Sequence, residues 1–459
     1  MSWEVCEAGV AEFTAGSEVG LTLGTCLRDL PRRRSVWHAK LDGTGREILL
    51  KIYQKHPKQE RDLVREWGNS KKLISAGLPL PQPLFRAEYR GDCAVVFDFI
   101  SGGKTLSHPQ LLGDDNTRAK LLKQVAEIHA AAHSHGCYQS DNHLGNYLWG
   151  GDRLWLLDAG SYVFAGDSLM EGLRAGNLAM FEASLPLAYA KCFRVALEAH
   201  YPQPVCVMKV AGKKALLHRR DAYFKKTLRS CTEFEHLREH GKDWLACRDI
   251  DQGLKNEMLN DPDQFFKKQD WLKKGNTCSV VEVEYGGRHY ILKRYNRKSL
   301  LYRWLHLWSG PRARASWSNG HVLRLFGVAT PRPVACMLVK PRLLLNKAYL
   351  LMEKVSGMPL GQVAKQQMSE LIPRASAGFA SRWRELDMLQ ATHGDMKASN
   401  FILDDEGELH LIDLDGLTFH NSRHAQQKGM HKDFRRFMRN WEAHPEIGKV
   451  FKASIEVDW

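Results

Sequence analysis

The feature that most constrains this chain is that it repeats itself once, at a period far too long for a solenoid. In the first half stand Glu66-Trp67-Gly68-Asn69 and Gly77-Leu78-Pro79-Leu80-Pro81-Gln82-Pro83. In the second stand Ser316-Trp317-Ser318-Asn319 and Gly327-Val328-Ala329-Thr330-Pro331-Arg332-Pro333, with the shared W-x-N and G-x-x-x-P-x-P residues all offset by 250. Further on, Asp141 and Asn146 recur as Asp395 and Asn400 at an offset of 254, and Asp158 recurs as Asp413 at 255. A drift of a few residues is what loop insertions produce. The collinear series reads as a duplicated domain, and the 459 residues are enough for two.

Each half has the same coarse order. A β-rich start (46–53 and 288–295) is followed by a helix carrying W-x-N, which ends near Gly77 or Gly327 where prolines forbid continuation. Apolar strands follow at 93–100 and 348–352. A longer helix is expected over about 116–133, where Leu122, Val125 and Ile128 form an apolar stripe. Strands first and helices afterwards predict an α+β unit of two lobes. The boundary is placed after the basic run Lys225-Lys226-Thr227-Leu228-Arg229, giving units 1–229 and 230–459.

The strongest local signal is His393-Gly394-Asp395-Met396-Lys397-Ala398-Ser399-Asn400, followed by Leu411-Ile412-Asp413-Leu414-Asp415-Gly416. Phosphoryl transfer needs a carboxylate to orient the attacking hydroxyl and take its proton, hard oxygen ligands for magnesium, and cations against the developing charge. Asp395 is the candidate base and Lys397 can reach the transferred group. Asn400 and Asp413 are candidate metal ligands. Upstream, Lys293 sits in an apolar strand, where an unpaired lysine is costly, and suits the lysine that grips the nucleotide phosphates. The first half has a looser copy: Asp141, Asn146 and Asp158 keep the spacing, Lys51 lies on the matching strand, and Glu66 is its expected ion-pair partner on the next helix.

The halves depart from the pattern differently. In the first, Gln139 stands where the second half has His393, and His143 stands where it has Lys397. In the second, Ser316 occupies the position of Glu66, and no Asp or Glu occurs between Lys293 and Asn319, so the lysine lacks its usual partner. Neither half shows G-x-G-x-x-G; candidates for a phosphate-covering loop are Gly20 to Gly24 and Lys274 to Ser279.

Composition bounds the partners. With 66 Lys+Arg against 52 Asp+Glu, the formal charge of +14 favours an anionic partner. Nothing beyond charge points to nucleic acid. The ten cysteines include no C-x-x-C pair and read as reduced thiols of a cytoplasmic protein. His133/His135 and His420/His424 are explained without a metal. The start, Met1-Ser2-Trp3-Glu4-Val5, does not read as a signal peptide. No window is apolar enough to span a membrane, but Arg294 to Arg314, basic and rich in Leu and Trp, reads as a stretch able to lie on an acidic surface.

The D-x-x-x-x-N loop followed by a strand ending in Asp resembles the protein-kinase superfamily, and the H-G-D opening is also seen in aminoglycoside-phosphotransferase-like kinases. The wider set resembles bacterial lipopolysaccharide-core kinases, including the Kdo and core heptose kinases. It comprises I-L-K-R-Y-N (Ile291 to Asn296), R-A-R-A-S-W-S-N (Arg312 to Asn319), G-V-A-T-P-R-P, H-G-D-M-K-A-S-N, I-D-L-D-G and D-F-R-R-F-M-R-N-W (Asp433 to Trp441). The resemblance implies two tandem protein-kinase-like bilobal domains, each with a β-rich N-lobe and a helical C-lobe. It also implies ATP and Mg2+, a sugar hydroxyl of the lipopolysaccharide inner core (heptose or Kdo) on a lipid-linked acceptor, and peripheral contact with the anionic inner-membrane surface. The alternatives are a protein or small-molecule kinase on the same fold, and a tandem pseudokinase scaffold.

Overall fold

The computed structural model describes residues 1–30, 32–166, 169–202, 208–267, 271–275, 278–295, 312–339, 347–365 and 369–456. The chain divides into two compact units, Met1–Leu216 and Leu217–Trp459. This break falls earlier than the expected one after residue 229, because the chain ahead of 229 is anchored in the second unit. Arg220, 2% exposed, donates from Nη1 to the Leu389 carbonyl at 2.7 Å, and the Thr227 carbonyl accepts the Trp317 indole N–H at 2.9 Å.

The first unit opens with β1 (Ser2–Ala8), β2 (Glu18–Leu30), β3 (Arg34–Leu41) and β4 (Glu47–Tyr53). Helix α1 (Gln59–Ser75), β5 (Pro83–Tyr89) and β6 (Asp92–Asp98) follow. The six strands close into a barrel in the order β1-β2-β3-β4-β6-β5. Strand alternation sorts β4: Ile48, Leu50 and Ile52 enter the barrel core, while Leu49 and Tyr53 face Leu63 and Trp67 of α1. Lys51 shares the parity of that second set and so emerges under α1. The expected glycine loop at Gly20–Gly24 is instead the middle of β2. A Cβ on Gly20 would lie 2.5 Å from Asp42 Oδ2, so the Asp42 side chain leaves little room at that position. The turn between β2 and β3 carries Arg32 and Arg33 instead.

After a short β7 (Lys104–Thr105) comes α2 (Asp115–Ser134), whose N-cap Asp114 accepts the Thr117 N–H at 2.7 Å. Leu121, Leu122, Val125 and Ile128 of α2 enter a core shared with β8 (Cys137–Gln139), β9 (Tyr147–Gly150), β10 (Arg153–Leu156), β11 (Tyr162–Phe164), α3 (Glu171–Glu182) and α4 (Ala190–His200). Helix α5 (Met208–Lys226) contains the division between the units.

The second unit builds an open seven-stranded antiparallel sheet from β12 (Phe234–Glu239), β13 (Lys242–Cys247), β14 (Trp271–Lys274), β15 (Cys278–Tyr285), β16 (Arg288–Tyr295), β17 (Pro333–Val339) and β18 (Lys347–Glu353), ordered β12-β13-β17-β18-β16-β15-β14. One face holds Trp244, Val281, Leu292 and Leu351 with α6 (Gln252–Asn260); the other holds Cys336, Leu350 and Tyr295 against Ala313 and Trp317 of α7 (Arg312–Leu325). Lys274 and Gly275 begin the turn between β14 and β15; Asn276 and Thr277 lie outside the described residues. So do residues 296–311, most of the stretch read as membrane-facing. Its described flanks are engaged on the protein's own carboxylates: Arg294 on Asp263 (2.9 Å), Arg312 on Asp415 (2.5 Å) and Arg314 on Asp243 (2.5 Å).

The helical part comprises β19 (Met358–Pro359), α8 (Leu360–Lys365), α9 (Ile372–Met388), β20 (Ala391–Thr392), β21 (Phe401–Leu403), β22 (Leu409–Leu411), β23 (Thr418–Phe419), α10 (Arg423–Met438) and α11 (Pro445–Glu456). Phe379 of α9 stacks on Phe437 of α10 at 4.0 Å, and Trp441 stacks on Phe451 of α11 at 5.1 Å. Helices α1 and α7 end alike: Gly77 (φ 74°) and Gly327 (φ 77°) take the left-handed conformation, and the next N–H (Leu78, Val328) reaches back to the Leu73 or Leu323 carbonyl at 3.0 Å in both. Among the described residues, no helix is long and apolar enough to cross a membrane, and the nine described cysteines are all free.

Candidate active site

In the second unit the site is assembled around an aspartate in the left-handed conformation. Asp413 (φ 62°, ψ 57°) leaves β22 into a short turn, Leu414–Gly416. The turn is pinned from α7: Asn319, 2% exposed, donates from Nδ2 to the Leu414 carbonyl at 3.0 Å and the Leu417 carbonyl at 2.9 Å. This is the work of the asparagine in W-x-N. Both residues are brought against Lys293 on β16, whose Nζ bonds Asp413 Oδ1 and lies 3.6 Å from Asp415 Oδ2.

Lys293 thus lacks a helix partner of the Glu66 kind but does not go without carboxylates. Helix α7 offers only Ser316, whose hydroxyl sits 3.2 Å from the Tyr295 hydroxyl. Compensation comes instead from the turn after β22, and Arg312 completes a set of two cations and two carboxylates by pairing with Asp415. Burial alone would lower the Lys293 pKa and raise that of Asp413. The opposed charges prevail, so Lys293 is held above its ordinary value and Asp413 below its own.

The loop before β21 carries the other residues. Gly394 (φ 79°) has no room for a side chain, since a Cβ would lie 2.6 Å from the Gly416 carbonyl oxygen. His393, fully buried, donates from Nε2 to the Ile412 carbonyl at 3.0 Å. Asp433 of α10 accepts the backbone N–H groups of His393 (2.7 Å) and Gly394 (3.0 Å). Asp395 is half-buried; its Oδ2 accepts from Lys397 Nζ at 2.8 Å and its Oδ1 from Arg436 at 2.6 Å. Burial works to raise the Asp395 carboxyl, but Lys397 and Arg436 overcome it and hold the group below the usual range. Asn400 donates from Nδ2 to the Asp395 carbonyl at 2.8 Å, and its own carbonyl accepts the Ile412 N–H at 2.9 Å, which sets it beside the residue preceding Asp413. With Nδ2 committed, Oδ1 is left to face a cation. An amide oxygen and a carboxylate are the hard donors that Mg2+ takes, so the pair fits that ion.

The first unit repeats this framework with other side chains. Asp158 has the same conformation (φ 58°, ψ 58°), and Asn69 donates to the Ala159 and Tyr162 carbonyls at 3.0 and 2.9 Å. Asn146 donates to the Asp141 carbonyl at 2.6 Å. Gln139, the departure noted in the sequence, donates from Nε2 to the Leu157 carbonyl at 3.0 Å, the bond that His393 makes before Asp413. The structure joins Lys51 and Glu66 in a buried ion pair, and the other Glu66 oxygen accepts the Gly160 N–H at 2.8 Å.

Asp158 is met by Arg34 at 3.3 Å; burial would raise its pKa, but the charges of Lys51 and Arg34 hold it low. His143 lies 3.6 Å from Asp141, whose side chain is 72% exposed. His133 is a buried structural residue: its Nδ1 accepts from the Tyr201 hydroxyl at 2.8 Å and its Nε2 donates to Asn177 at 3.0 Å. No metal-holding group of His, Cys, Asp and Glu occurs among the described residues.

Sequence reasoning did not assign Asp415, Arg312, Asp433, Arg436 or Arg34. The second aspartate of I-D-L-D-G and the charges of D-F-R-R-F were the available signals for three of them; Arg34 had only the Arg32–Arg34 run.

Residues 266–453 match the family model described as the lipopolysaccharide kinase (Kdo/WaaP) family. This part of the chain is similar to that family. The lipopolysaccharide kinase match lies within the second unit and takes in Lys293, Asp395, Lys397, Asn400 and Asp413. The family is one of kinases, which supports a phosphotransferase activity and a lipopolysaccharide-related sugar as the substrate class. No curated protein matches the chain.

Proposed function

We propose that the protein is an ATP-dependent kinase that phosphorylates a heptose or Kdo hydroxyl of the lipopolysaccharide inner core, and that its two units are tandem kinase-like domains, each with a β-rich and a helical lobe. The observation that carries this is the group Lys293, Asp395, Asn400 and Asp413 converging within the stretch that matches the lipopolysaccharide kinases.

Asp395 orients the acceptor hydroxyl and takes its proton as the oxygen attacks the γ-phosphorus, while the bond from that phosphorus to the bridging oxygen breaks and ADP leaves. With its pKa held low it is an anion at neutral pH, ready to accept. Lys397 moves from Asp395 to the transferred phosphoryl oxygens, where it offsets developing charge. Lys293 exchanges part of its pairing with Asp413 and Asp415 for the α- and β-phosphates. Asn400 Oδ1 and Asp413 would hold Mg2+, which when bound neutralises phosphate charge.

In the first unit Lys51, steadied by Glu66, takes the nucleotide, Asn146 and Asp158 the metal, and Asp141 the base position. A second reading applies to that unit alone. The Arg34–Asp158 pair and the exposed Asp141 favour a supporting domain over an equal enzyme. The protein works in the cytoplasm and touches the inner membrane through its lipid-linked acceptor.

The test is phosphate transfer from labelled ATP, with magnesium, to core lipopolysaccharide stripped of phosphate, by wild type, Asp141→Ala, Asp395→Ala and the double variant. Asp395→Ala is expected to lose about 10²–10⁴-fold in rate while still binding ATP. Folded wild type that neither labels the acceptor nor binds ATP would sink the proposal.

A further inference from the structure

Helix α10 sorts its residues by period. Gln426, Met430, Asp433 and Phe437 are buried, whereas Lys428, Lys432, Arg435, Arg436 and Arg439 are exposed at i, i+4, i+7, i+8 and i+11, one continuous face. A solvated basic face is the ordinary explanation of such a stripe, but two observations take this one further. First, it borders a cavity of about 450 Å³ lined by Thr392, Gly429, Lys432, Arg435, Arg436 and Arg439, together with Gly394 of the loop that presents Asp395. The helix comes close enough to form this wall because residue 429 is glycine: a Cβ there would lie 2.6 Å from Thr392 Cγ2. Second, the cations are not consumed locally. Among the described residues, Lys432, Arg435 and Arg439 form no ion pair with a carboxylate, while Arg436 alone turns inward to Asp395 at 2.6 Å. The carboxylate in the wall, Asp433, has its oxygens committed to the N–H groups of His393 and Gly394.

We infer that this cavity is the acceptor subsite, and that Lys432, Arg435 and Arg439 bind an anionic substituent (phosphate or carboxylate) on the saccharide whose hydroxyl is presented to Asp395. The inference rests on the reading of Asp395 as the base. Its chemistry is that of planar guanidinium groups on oxyanions, which position as well as attract. A neutral sugar offers three cations hydroxyl acceptors but no counter-charge. A charged one is held with its hydroxyl beside Arg436 and Asp395.

The test compares wild type with Arg435→Gln/Arg439→Gln, both exposed positions, in the full chain. Binding of core lipopolysaccharide oligosaccharide is measured by calorimetry without ATP, using untreated core, phosphate-stripped core and, separately, phosphatidylglycerol vesicles. Transfer kinetics are measured alongside. The double substitution is expected to weaken core binding and raise acceptor KM about tenfold or more, the loss of a charge-assisted contact, with KM for ATP unchanged. If stripping phosphate from the core weakens wild-type binding to the level of the variant, the recognised group is phosphate; if stripping has no effect, it is a carboxylate. Unchanged core binding overturns the inference, as does a parallel rise in KM for ATP, or loss confined to vesicles. Arginine-dependent core binding without any transfer would retain the subsite and remove the kinase reading; transfer with arginine-independent binding would do the reverse.

Discussion

The residue on which the second unit's turn depends most is Asn319, and replacing it with alanine isolates that dependence. Its amide nitrogen serves two carbonyls, Leu414 at 3.0 Å and Leu417 at 2.9 Å, from a position 2% exposed. An unmet buried acceptor costs about 1–3 kcal/mol. Leu414 keeps a second donor, the Leu417 N–H at 3.3 Å, so its share falls at the low end, about 1 kcal/mol. Leu417 contributes about 2 kcal/mol on the same scale. The expected loss is therefore about 3 kcal/mol, and at roughly 2–4 °C per kcal/mol for a unit of this size the transition drops by about 6–12 °C. Asn319→Asp should be worse than alanine, because it aims a carboxylate at two carbonyl oxygens. Scanning calorimetry of the full chain reads the transition, and hydrogen exchange over 414–417 locates the damage. Since the same turn fixes Asp413 against Lys293, ATP affinity should fall in both variants even below the transition. A loss under about 1 kcal/mol, or protection unchanged at 414–417, would show that W-x-N does not hold the aspartate, and the reasoning for Asn69 would fall with it.

Glu66→Gln in the first unit leaves the Lys51 ammonium buried without its counter-charge. Breaking such a pair from one side should cost about 3 kcal/mol or more, read as a shift in the urea midpoint; a neutral result would mean another carboxylate takes the lysine over. Stability should also fall on acidification. Burial lowers the His129 pKa to about 3 and that of His133 to about 4 in the first unit, and that of His321 to about 3 in the second. Between those values and the ordinary 6.5 the unfolded chain takes up protons that the folded one refuses, so stability present above pH 6.5 drains away below it. By pH 5 this amounts to about 2 kcal/mol per histidine. Urea midpoints that stay flat from pH 7 to 5 would contradict the burial of these rings.

What the sequence made legible is what it encodes locally. The ends of α1 and α7 could be read from Gly77 and Gly327 because a left-handed cap followed by proline is decided within a few residues. The loop around Asp395 and the strand leading to Asp413 could be read because donor and acceptor types recur at fixed spacing. What escaped depends on contacts between distant segments. That Lys293 has no helix glutamate could be read from Ser316, but its carboxylates could not, because Asp413 and Asp415 arrive from more than a hundred residues away. Gly20–Gly24 looked like a phosphate loop because the pairing of β1 with both β2 and β5, which closes the barrel and makes this run plain strand, has no local signature. The early division of the chain was hidden in the same way, since Arg220 and Thr227 owe their allegiance to Leu389 and Trp317.

On the proposed reading each unit carries its own set of kinase-site parts, and comparing the two sets separates scaffolding from chemistry. Three bonds that shape the backbone are present twice: the asparagine to the turn, the loop asparagine to the aspartate carbonyl, and the side chain at 139 or 393 to the carbonyl before the left-handed aspartate. Glutamine can replace histidine in the last because the bond needs only one N–H at the right reach. The contacts that would tune a base are not duplicated. Asp395 is held by Lys397 and Arg436, whereas in the lysine's place Asp141 meets His143 at 3.6 Å, and that imidazole spends Nδ1 on the Gly145 N–H. Where Asp433 binds the backbone of the loop, α3 supplies Asn177, which donates to the Gln139 carbonyl. Conversely, the Lys–Glu pair between strand and helix exists only in the first unit, while the second holds its lysine with the residues that would carry the metal. A lysine paired with Asp413 must give up part of that pairing when nucleotide and cation arrive together, so binding in the second unit should be coupled between the two. The lysine in the first unit is bonded to Glu66 and acts on Asp158 only through its charge, so it depends less on that exchange. Nucleotide affinity without magnesium should therefore be higher at the first unit than at the second, and adding magnesium should favour the second.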